Sequence, residues 1–149
     1  MLIVVNKIQF NIDDDCYPYF MSNSWTVVSS GYLYTTTPSY TYFHRAVIGA
    51  KSGELVDHIN LDIKDNRRAN LRIVTRQQNE ANKPKVYWKT TSKYKGVTWN
   101  KREKYWVAQI KVNQKGIRLG RFKTEDEAYA CRLKAEQKYF GDFAWKPSA

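Results

Sequence analysis

The sequence predicts an α+β protein of two small modules: a central strand–strand–helix unit and a C-terminal three-stranded antiparallel sheet packed on one helix. Apolar and polar residues alternate from Tyr105 to Val112, as expected of a half-buried strand. Threonines at Thr75 and Thr124 each precede a Gln or Glu by three positions, a pattern typical of helix N-termini. Together these signals place one helix at the end of each module.

The length and the cysteines limit what the chain can be. A chain of 149 residues can bury two small cores. It lacks a run of about 18 apolar residues and a signal-peptide pattern, so we expect a soluble, cytoplasmic protein without a membrane partner. Cys16 and Cys131 are far apart and form no CxxC pair, so we expect reduced thiols and no zinc ribbon.

Positive charge is concentrated at the C-terminal end. Residues 1–82 hold 8 Lys/Arg against 8 Asp/Glu, whereas residues 83–149 hold 17 against 6, which accounts for the net charge of +11. Aromatic residues, including Tyr94, Trp99, Tyr105 and Trp106, are interleaved with these cations. This composition favours a face that binds nucleic acid over a merely solvated surface.

The N-terminal segment, residues 1–43, is strand-rich and is expected to support the next unit. The runs from Trp25 to Ser29 and from Tyr32 to Thr37 flank Ser30-Gly31, which predicts a hairpin. Asp13-Asp14-Asp15 is interpreted as a solvated turn rather than a metal site, because consecutive carboxylates diverge. A short helix is expected over residues 44–50, ending near Ser52-Gly53.

The central unit, residues 44–83, carries the chemistry. Val56-Asp57-His58-Ile59 predicts a short strand, in which Asp57 and His58 point to opposite faces or are aimed together by a bulge. Leu71 to Val74 predicts its partner strand, and the helix that starts after Thr75 would project Asn79 toward the hairpin. A strand pair crossed by a helix can bring Asp57 and Asn79 together. Residues 84–92 are predicted to form a linker.

Asp57-His58, Asn70 twelve residues after His58, and Asn79 nine residues later resemble the ββα-metal motif of HNH endonucleases, in particular phage-type homing endonucleases. His44-Arg45, Asp65-Asn66-Arg67-Arg68 and Asn70-Leu71-Arg72-Ile73-Val74-Thr75 extend the resemblance. It implies that Asp57 and Asn79 bind the metal, that His58 is the general base, and that Asn70 braces the loop and orients His58.

Oxygen ligands suit Mg²⁺, with Mn²⁺ as the alternative. The third position of the HNH motif is often histidine, and Asn79 at that position removes an imidazole ligand, which argues against zinc. We expect Arg45, Arg72 and Arg76 to contact DNA. His44 is left between a buried structural role and a catalytic one.

The C-terminal module, residues 93–149, combines three predicted strands and a helix. The third strand is expected over Ile117–Phe122, and the helix after Thr124 over residues up to about Phe140, closed by Gly141. Ala128, Cys131 and Ala135 would pack that helix on the sheet, and Trp99 and Trp106 are expected to be core residues. The opposite face of the sheet would remain free.

Tyr94-Lys-Gly-Val97, Trp106-Val-Ala-Gln-Ile110 and Leu119-Gly120-Arg-Phe122 resemble the plant APETALA/ethylene-response-type DNA-binding domain. That resemblance implies a sheet that reads duplex DNA in the major groove. The expected phosphate contacts are Lys95, Lys101, Arg102, Lys104 and Lys111, and the expected base contacts are Gln109 and Arg118. Thr98 and Asn100 occupy positions that are arginine in the plant domains, so base preference does not transfer.

The sequence therefore predicts a site-specific homing endonuclease from a phage that uses one divalent cation to cut double-stranded DNA. One catalytic centre reaches one strand per binding event, so we expect a monomer that nicks DNA. The alternatives are a non-catalytic DNA-binding protein on a degenerate HNH scaffold and an RNA-directed or structure-specific nuclease.

Overall fold

The computed structural model describes residues 1–84 and 91–145. It divides into two compact units, Met1–Asn79 and Glu80–Ala149. Most of the predicted linker, residues 85–90, lies outside the described residues. Within the described ranges, no helix is both long enough and apolar enough to cross a membrane.

The first unit contains short strands and helices. Its strands are β1 (Leu2–Val5), β2 (Ile8–Asn11), β3 (Thr26–Val27), β4 (Leu33–Thr35), β5 (Thr41–Tyr42), β6 (Leu55–His58) and β7 (Leu71–Val74). Its helices are α1 (Tyr17–Met21), α2 (Phe43–Ile48) and α3 (Arg76–Asn82), the last of which runs into the second unit. The mixed α+β class predicted from the sequence is confirmed.

Three antiparallel sheets, β1–β2, β3–β4–β5 and β6–β7, organise the first unit. β1 pairs with β2 through a two-residue turn in which Asn6 and Lys7 both have positive φ, the conformation that joins twisted strands most directly. β3 pairs with β4, which confirms the hairpin predicted around Gly31, although each strand is shorter than the predicted run. Gly31 has a φ of 90°, which a glycine adopts without strain.

Helix α2 ends earlier than the sequence predicted. The helix stops at Ile48 because Gly49 adopts the left-handed conformation and donates its N–H to the carbonyl of Ala46. The predicted end near Ser52-Gly53 is therefore wrong by about one turn. The early stop leaves a short turn before β6 begins at Leu55.

The core of the first unit lies between the β1–β2 hairpin and α2. Its buried apolar side chains are Ile3, Val5, Phe10, Ile12, Cys16, Leu33 and Phe43. Trp25 packs edge-on against Phe43 with ring centroids 4.9 Å apart, which closes the cluster. The strand-rich N-terminal segment thus shares one core with the helix that leads into β6.

The second unit is a three-stranded antiparallel sheet packed on one long helix, as predicted. Its elements are β8 (Val97–Asn100), β9 (Tyr105–Val112), β10 (Lys115–Phe122) and α4 (Glu125–Phe140). β10 begins two residues before the predicted strand, because Asn113 and Gln114 alone form the turn, both with positive φ. Thr124 and Glu127 form the predicted reciprocal capping box at the start of α4.

The sheet packs on α4 through small and apolar side chains. Ala108 and Ala128 are fully buried, and Ile110 and Ala135 are nearly so. Cys131 is only half-buried, while Trp106 packs against the cluster that contains Ala128. The predicted alanine face of α4 is therefore confirmed at its two alanines.

Candidate functional site

The β6–β7 pair places Asp57 directly opposite Arg72. Both the Nε and the Nη2 groups of Arg72 donate to Asp57 Oδ2, at 3.0 and 2.8 Å. The Asp57 side chain is 6% exposed and that of Arg72 is 15% exposed, so water weakens this ion pair little. Arg72 thus holds the carboxylate of the adjacent strand, and its contact with DNA stays a prediction.

His58 follows Asp57 at the end of β6 and is also buried. Its Nε2 lies 3.2 Å from Asn66 Oδ1. Burial lowers the pKa of His58, and the Asn66 contact and nearby carboxylates oppose that shift in part. The lowered pKa favours the neutral imidazole, the form that accepts a proton.

Asn70 braces the loop that connects His58 to β7. Its Oδ1 accepts the N–H of Asn60 at 3.0 Å, and its Nδ2 donates to the carbonyl of Asp65 at 2.8 Å. Its own carbonyl accepts the N–H of Ile59 at 2.8 Å. The amide thus uses its donor and its acceptor on two separate parts of the loop, which matches the bracing role that the resemblance implies.

Asp65 anchors the middle of the same loop. Its carboxylate accepts from Arg67 Nε and Nη2 at 2.8 and 2.7 Å and from Asn60 Nδ2 at 3.1 Å. These contacts, the first from Arg67, hold the pKa of Asp65 below its usual value. The β1–β2 hairpin contributes as well, because Asn11 donates its N–H to the Lys64 carbonyl at 2.8 Å.

Asn79 lies on α3 and is half-buried. The helix begins as predicted: the N–H of Thr75 donates to Gln78 Oε1 at 2.8 Å, and the N–H of Gln78 donates to Thr75 Oγ1 at 3.3 Å. The N–H of Asn79 donates to the Thr75 carbonyl at 3.0 Å, within the first turn of the helix. Arg76, the first residue of α3, is exposed.

His44 belongs to a cluster of aromatic rings. Its ring centroid is 5.2 Å from those of His58 and Tyr32 and 5.5 Å from that of Tyr42. Burial, followed by the nearby His58 and Arg45, lowers the pKa of His44 to about 3. His44 is thus a neutral packing partner of His58, which fits the structural alternative left open by the sequence.

Arg45 contacts the turn that follows α2. Its Nη1 donates to the Glu54 carbonyl at 2.6 Å and its Nη2 to the Lys51 carbonyl at 2.8 Å. The guanidinium therefore stabilises the approach to β6, and contact with DNA stays a prediction for this residue.

A group of acidic ligand atoms occurs away from this loop, where Asp13, Asp15 and Cys16 lie within 4.8 Å of one another. Arg68 already satisfies the carboxylates: its N–H donates to Asp13 Oδ2 at 2.8 Å and its Nη1 to Asp15 Oδ1 at 2.7 Å. Burial raises the pKa of the Cys16 thiol, which disfavours the thiolate that a metal would need. Asp13 to Asp15 thus form a salt-bridged turn.

The sheet face turned away from α4 carries mostly basic and polar side chains, although Val107 on the same face is apolar and only 7% exposed. The register places Gln109 opposite Arg118, Lys111 opposite Gly116 and Thr98 opposite Val107, and side chains directly opposite share a face. Asn100 is also on this face, where its Oδ1 caps the turn by accepting the N–H groups of Arg102 and Glu103. The turn itself exposes three of the predicted cations, Lys101, Arg102 and Lys104.

Arg121 also lies on this face, although we did not predict it from the sequence. A bulge between Arg118 and Gly120 shifts the register, so that Arg118 and Arg121, three positions apart, both point away from α4. Without the bulge, alternation would place them on opposite faces. The sequence signal that could have revealed it is Gly120, since a glycine inside a strand often marks a bulge.

Lys95 does not lie with these cations. Its Nζ donates to the carbonyl of Ala81 at 2.8 Å and also to that of Lys83, and burial lowers its pKa. Lys95 thus makes contacts inside the second unit, and its phosphate contact stays a prediction.

Comparison with known proteins found a match for the segment that contains Asp57 and His58. Residues 42–81 match the family model of HNH endonucleases. The matched segment begins just before α2 and contains Asp57, His58, Asn70 and Asn79. It suggests a nuclease that acts on DNA, while the plant-type resemblance of the C-terminal sheet stays a prediction. The chain has no significant match among curated proteins or solved structures.

Proposed function

We propose that this protein is a homing-type DNA endonuclease that nicks one strand by an HNH mechanism, with the second unit binding the duplex. The observation that carries the proposal is the adjacency of Asp57 and His58 on β6, inside the segment that matches the HNH family. Both side chains are buried and each has a defined hydrogen-bonding partner. Two such groups in one strand suit a hydrolytic site better than a surface turn.

The ligands proposed for a divalent cation are Asp57 and Asn79. Their donor set fits Mg²⁺ or Mn²⁺, since it consists of one carboxylate and one amide oxygen. Arg72 holds Asp57 Oδ2, which fixes the orientation of the carboxylate. The bound cation would supply electrophilic stabilisation of the phosphate oxygens.

His58 would act as the general base. A neutral imidazole takes a proton from water as the oxygen attacks phosphorus opposite the leaving oxygen. The loop braced by Asn70 and Asp65 holds the ring in place, which reduces the reorganisation needed before the proton moves.

The second unit would hold the DNA. Strands β8, β9 and β10 contain neither Asp nor Glu, and Lys111, Arg118 and Arg121 are exposed on the face away from α4. A sheet face of this charge attracts phosphates, while Gln109 offers both a donor and an acceptor to base edges. The pattern supports binding of double-stranded DNA by a single chain.

The test is a nicking assay on supercoiled plasmid that carries DNA flanking the coding gene. With Mg²⁺ we expect open circles, no reaction in EDTA, and a fall in cleavage rate of about 10² to 10⁴ for His58→Ala with DNA binding unchanged. His44→Gln serves as the control for loss of a buried imidazole. Linear product without open circles would contradict nicking, and an active His58→Ala variant would overturn the assignment of the base.

The alternative of a non-catalytic DNA-binding protein has one observation in its favour, since the Asp57–Arg72 pair could serve structure alone. The two hypotheses predict different results for Asp57→Asn. A nuclease loses cleavage while its binding persists, whereas a scaffold shows no cleavage to lose, with or without metal.

A further inference from the structure

Asn66 is the most deeply buried polar residue of the loop between β6 and β7. The residue is 1% exposed, and its Oδ1 lies 3.2 Å from Nε2 of His58. The expectation from the sequence was that Asn70 orients His58, yet the bonds of Asn70 described above go to Asn60 and Asp65. Asn66 therefore makes a buried polar contact with the ring of His58.

A backbone carbonyl favours one orientation of the Asn66 amide. Its Nδ2 faces the carbonyl oxygen of Lys64 at 3.5 Å. A carbonyl oxygen can only accept a hydrogen bond, so the nitrogen end of the amide must point toward it. The opposite orientation would place two oxygens against each other inside a buried loop. The oxygen of Asn66 is thus the atom that faces His58.

The amide orientation determines which nitrogen of His58 carries hydrogen. An amide oxygen only accepts, so Nε2 of His58 must donate, and a neutral imidazole has one ring hydrogen. Nδ1 then carries the lone pair. The group that accepts a hydrogen bond from a histidine selects its tautomer in this way.

The backbone of Asn66 is held from outside the loop. Its N–H donates to the carbonyl of Asn11 at 2.8 Å, and Asn11 and Asp65 form a parallel bridge. The Asp65 carbonyl is also bound by the Nδ2 group of Asn70. Asn66 is consequently placed by the end of β2 on one side and by Asn70 on the other, which leaves its side chain little freedom.

We infer that Asn66 is a positioning residue that holds His58 in the tautomer protonated at Nε2 and presents Nδ1 as the proton acceptor. The β1–β2 hairpin takes part through Asn11, which gives the N-terminal segment a role in the site. The inferred tautomer rests on the contact between Asn66 Oδ1 and His58 Nε2. Its use in phosphodiester cleavage rests on the proposed function.

The tautomer is measured by long-range ¹H–¹⁵N correlation spectra of the full chain labelled with ¹⁵N-histidine. The chain has two histidines, so His44→Gln assigns the signals of His58. Near pH 8 we expect the pattern of an Nε2-protonated ring in the wild type. The pattern of an Nδ1-protonated ring would overturn the inference without any variant.

Two substitutions test the cause. Asn66→Leu keeps the size of the side chain but removes the acceptor, so we expect a mixture of tautomers. Asn66→Asp retains an acceptor and should keep Nε2 protonated. An unchanged Nε2-protonated pattern in Asn66→Leu, with the His44 signals showing an intact fold, contradicts the inference. Should Asn66→Leu not fold, Asn66→Ala replaces it, with the same outcomes.

Cleavage provides the separate functional readout. Asn66→Leu should lower kcat about 10- to 100-fold, the range found when a group that orients a site residue is removed, with KM for DNA unchanged. Asn66→Asp should recover part of the rate. If the wild type does not cut DNA, the proposed function fails while the tautomer result stands. If it cuts but Asn66→Leu cuts equally well, the positioning role fails alone.

Discussion

The two units bury polar groups in different ways. In the first unit, buried Asp57, His58, Asp65, Asn66 and Asn70 cluster on β6 and the loop after it, and every one has a hydrogen-bonding partner.

In the second unit, the buried charges on α4 are Arg132 and Glu136, one turn apart and 2.9 Å from each other. There, Nε and Nη1 of Arg132 have no hydrogen-bonding partner among the described residues.

The difference shows which polar groups the fold has organised. A hydrogen-bonding partner for each buried polar side chain requires many residues to be placed correctly. Such an arrangement is expected where a side chain must be held in position for chemistry. The ion pair between Arg132 and Glu136 on α4 needs only two side chains. Burial opposes the charged forms of both, because it lowers the pKa of Arg132 and raises that of Glu136. The units also differ at the surface, since the excess positive charge is C-terminal.

The largest expected effect concerns the affinity of the second unit for DNA. If the second unit contacts 6 to 10 phosphates, DNA affinity should fall about 10³- to 10⁵-fold between roughly 50 and 200 mM salt. Replacing Lys111, Arg118 and Arg121 with glutamine should reduce the slope of log affinity against log salt by about 3.

The control for that experiment is the pair Lys134→Gln and Lys138→Gln on the exposed side of α4, which removes charge away from the sheet face. A salt-insensitive binding curve, or an equal loss in the control, would contradict DNA binding by the sheet.

The next effect concerns the buried pair of the second unit. Glu136→Ala leaves the Arg132 guanidinium buried without a carboxylate, so we expect a loss of about 3–5 kcal/mol in the free energy of unfolding. Glu103→Ala removes an exposed partner of Arg121 and should change stability by no more than about 0.5 kcal/mol. Urea denaturation followed by circular dichroism measures both, and similar values for the two variants would refute the contrast.

The first unit should lose stability in acid. The pKa of His44 is 6.5 in the unfolded chain and about 3 in the folded protein. Between pH 3 and pH 6.5, His44 is therefore protonated in the unfolded state and neutral in the folded state. Stability is thus full above pH 6.5 and falls as pH decreases, by about 2 kcal/mol at pH 5. His44→Gln should flatten this part of the stability curve, and a variant with the wild-type slope would show that another group titrates.

The smallest expected effects concern the N-terminal caps of two helices, Thr75 of α3 and Thr124 of α4. Thr75→Ala and Thr124→Ala each remove a hydroxyl that accepts a backbone N–H and should cost about 1 kcal/mol. Serine at either position should restore most of the loss. A cost near zero at Thr75 with a full cost at Thr124 would show that α3 is held by its neighbours rather than by its cap.

Much of the fold could be predicted because its signals are local. The capping boxes at Thr75 and Thr124 act over three residues, and the alternation in β9 reflects which side chains face α4. The hairpin at Gly31 depends on one glycine with positive φ. Local rules of this kind need no knowledge of distant contacts.

The site could be predicted only in part. The spacing of Asp57, His58, Asn70 and Asn79 is visible in one dimension and marks the segment that matches the HNH family. The contact between His58 and Asn66 is not, because it depends on how the loop folds back and on Asn11 from another strand.

The sequence by itself determined the order of the elements, the motif and the location of the positive charge, since each is a property of neighbouring residues. Only the tertiary structure decided where the charged side chains lie: Arg72 is bound to Asp57, Lys95 to backbone carbonyls, and Arg121 reaches the sheet face turned away from α4 through a bulge. The physical reason is that a side chain's partners are set by burial and by strand register, and both depend on residues far away in the chain.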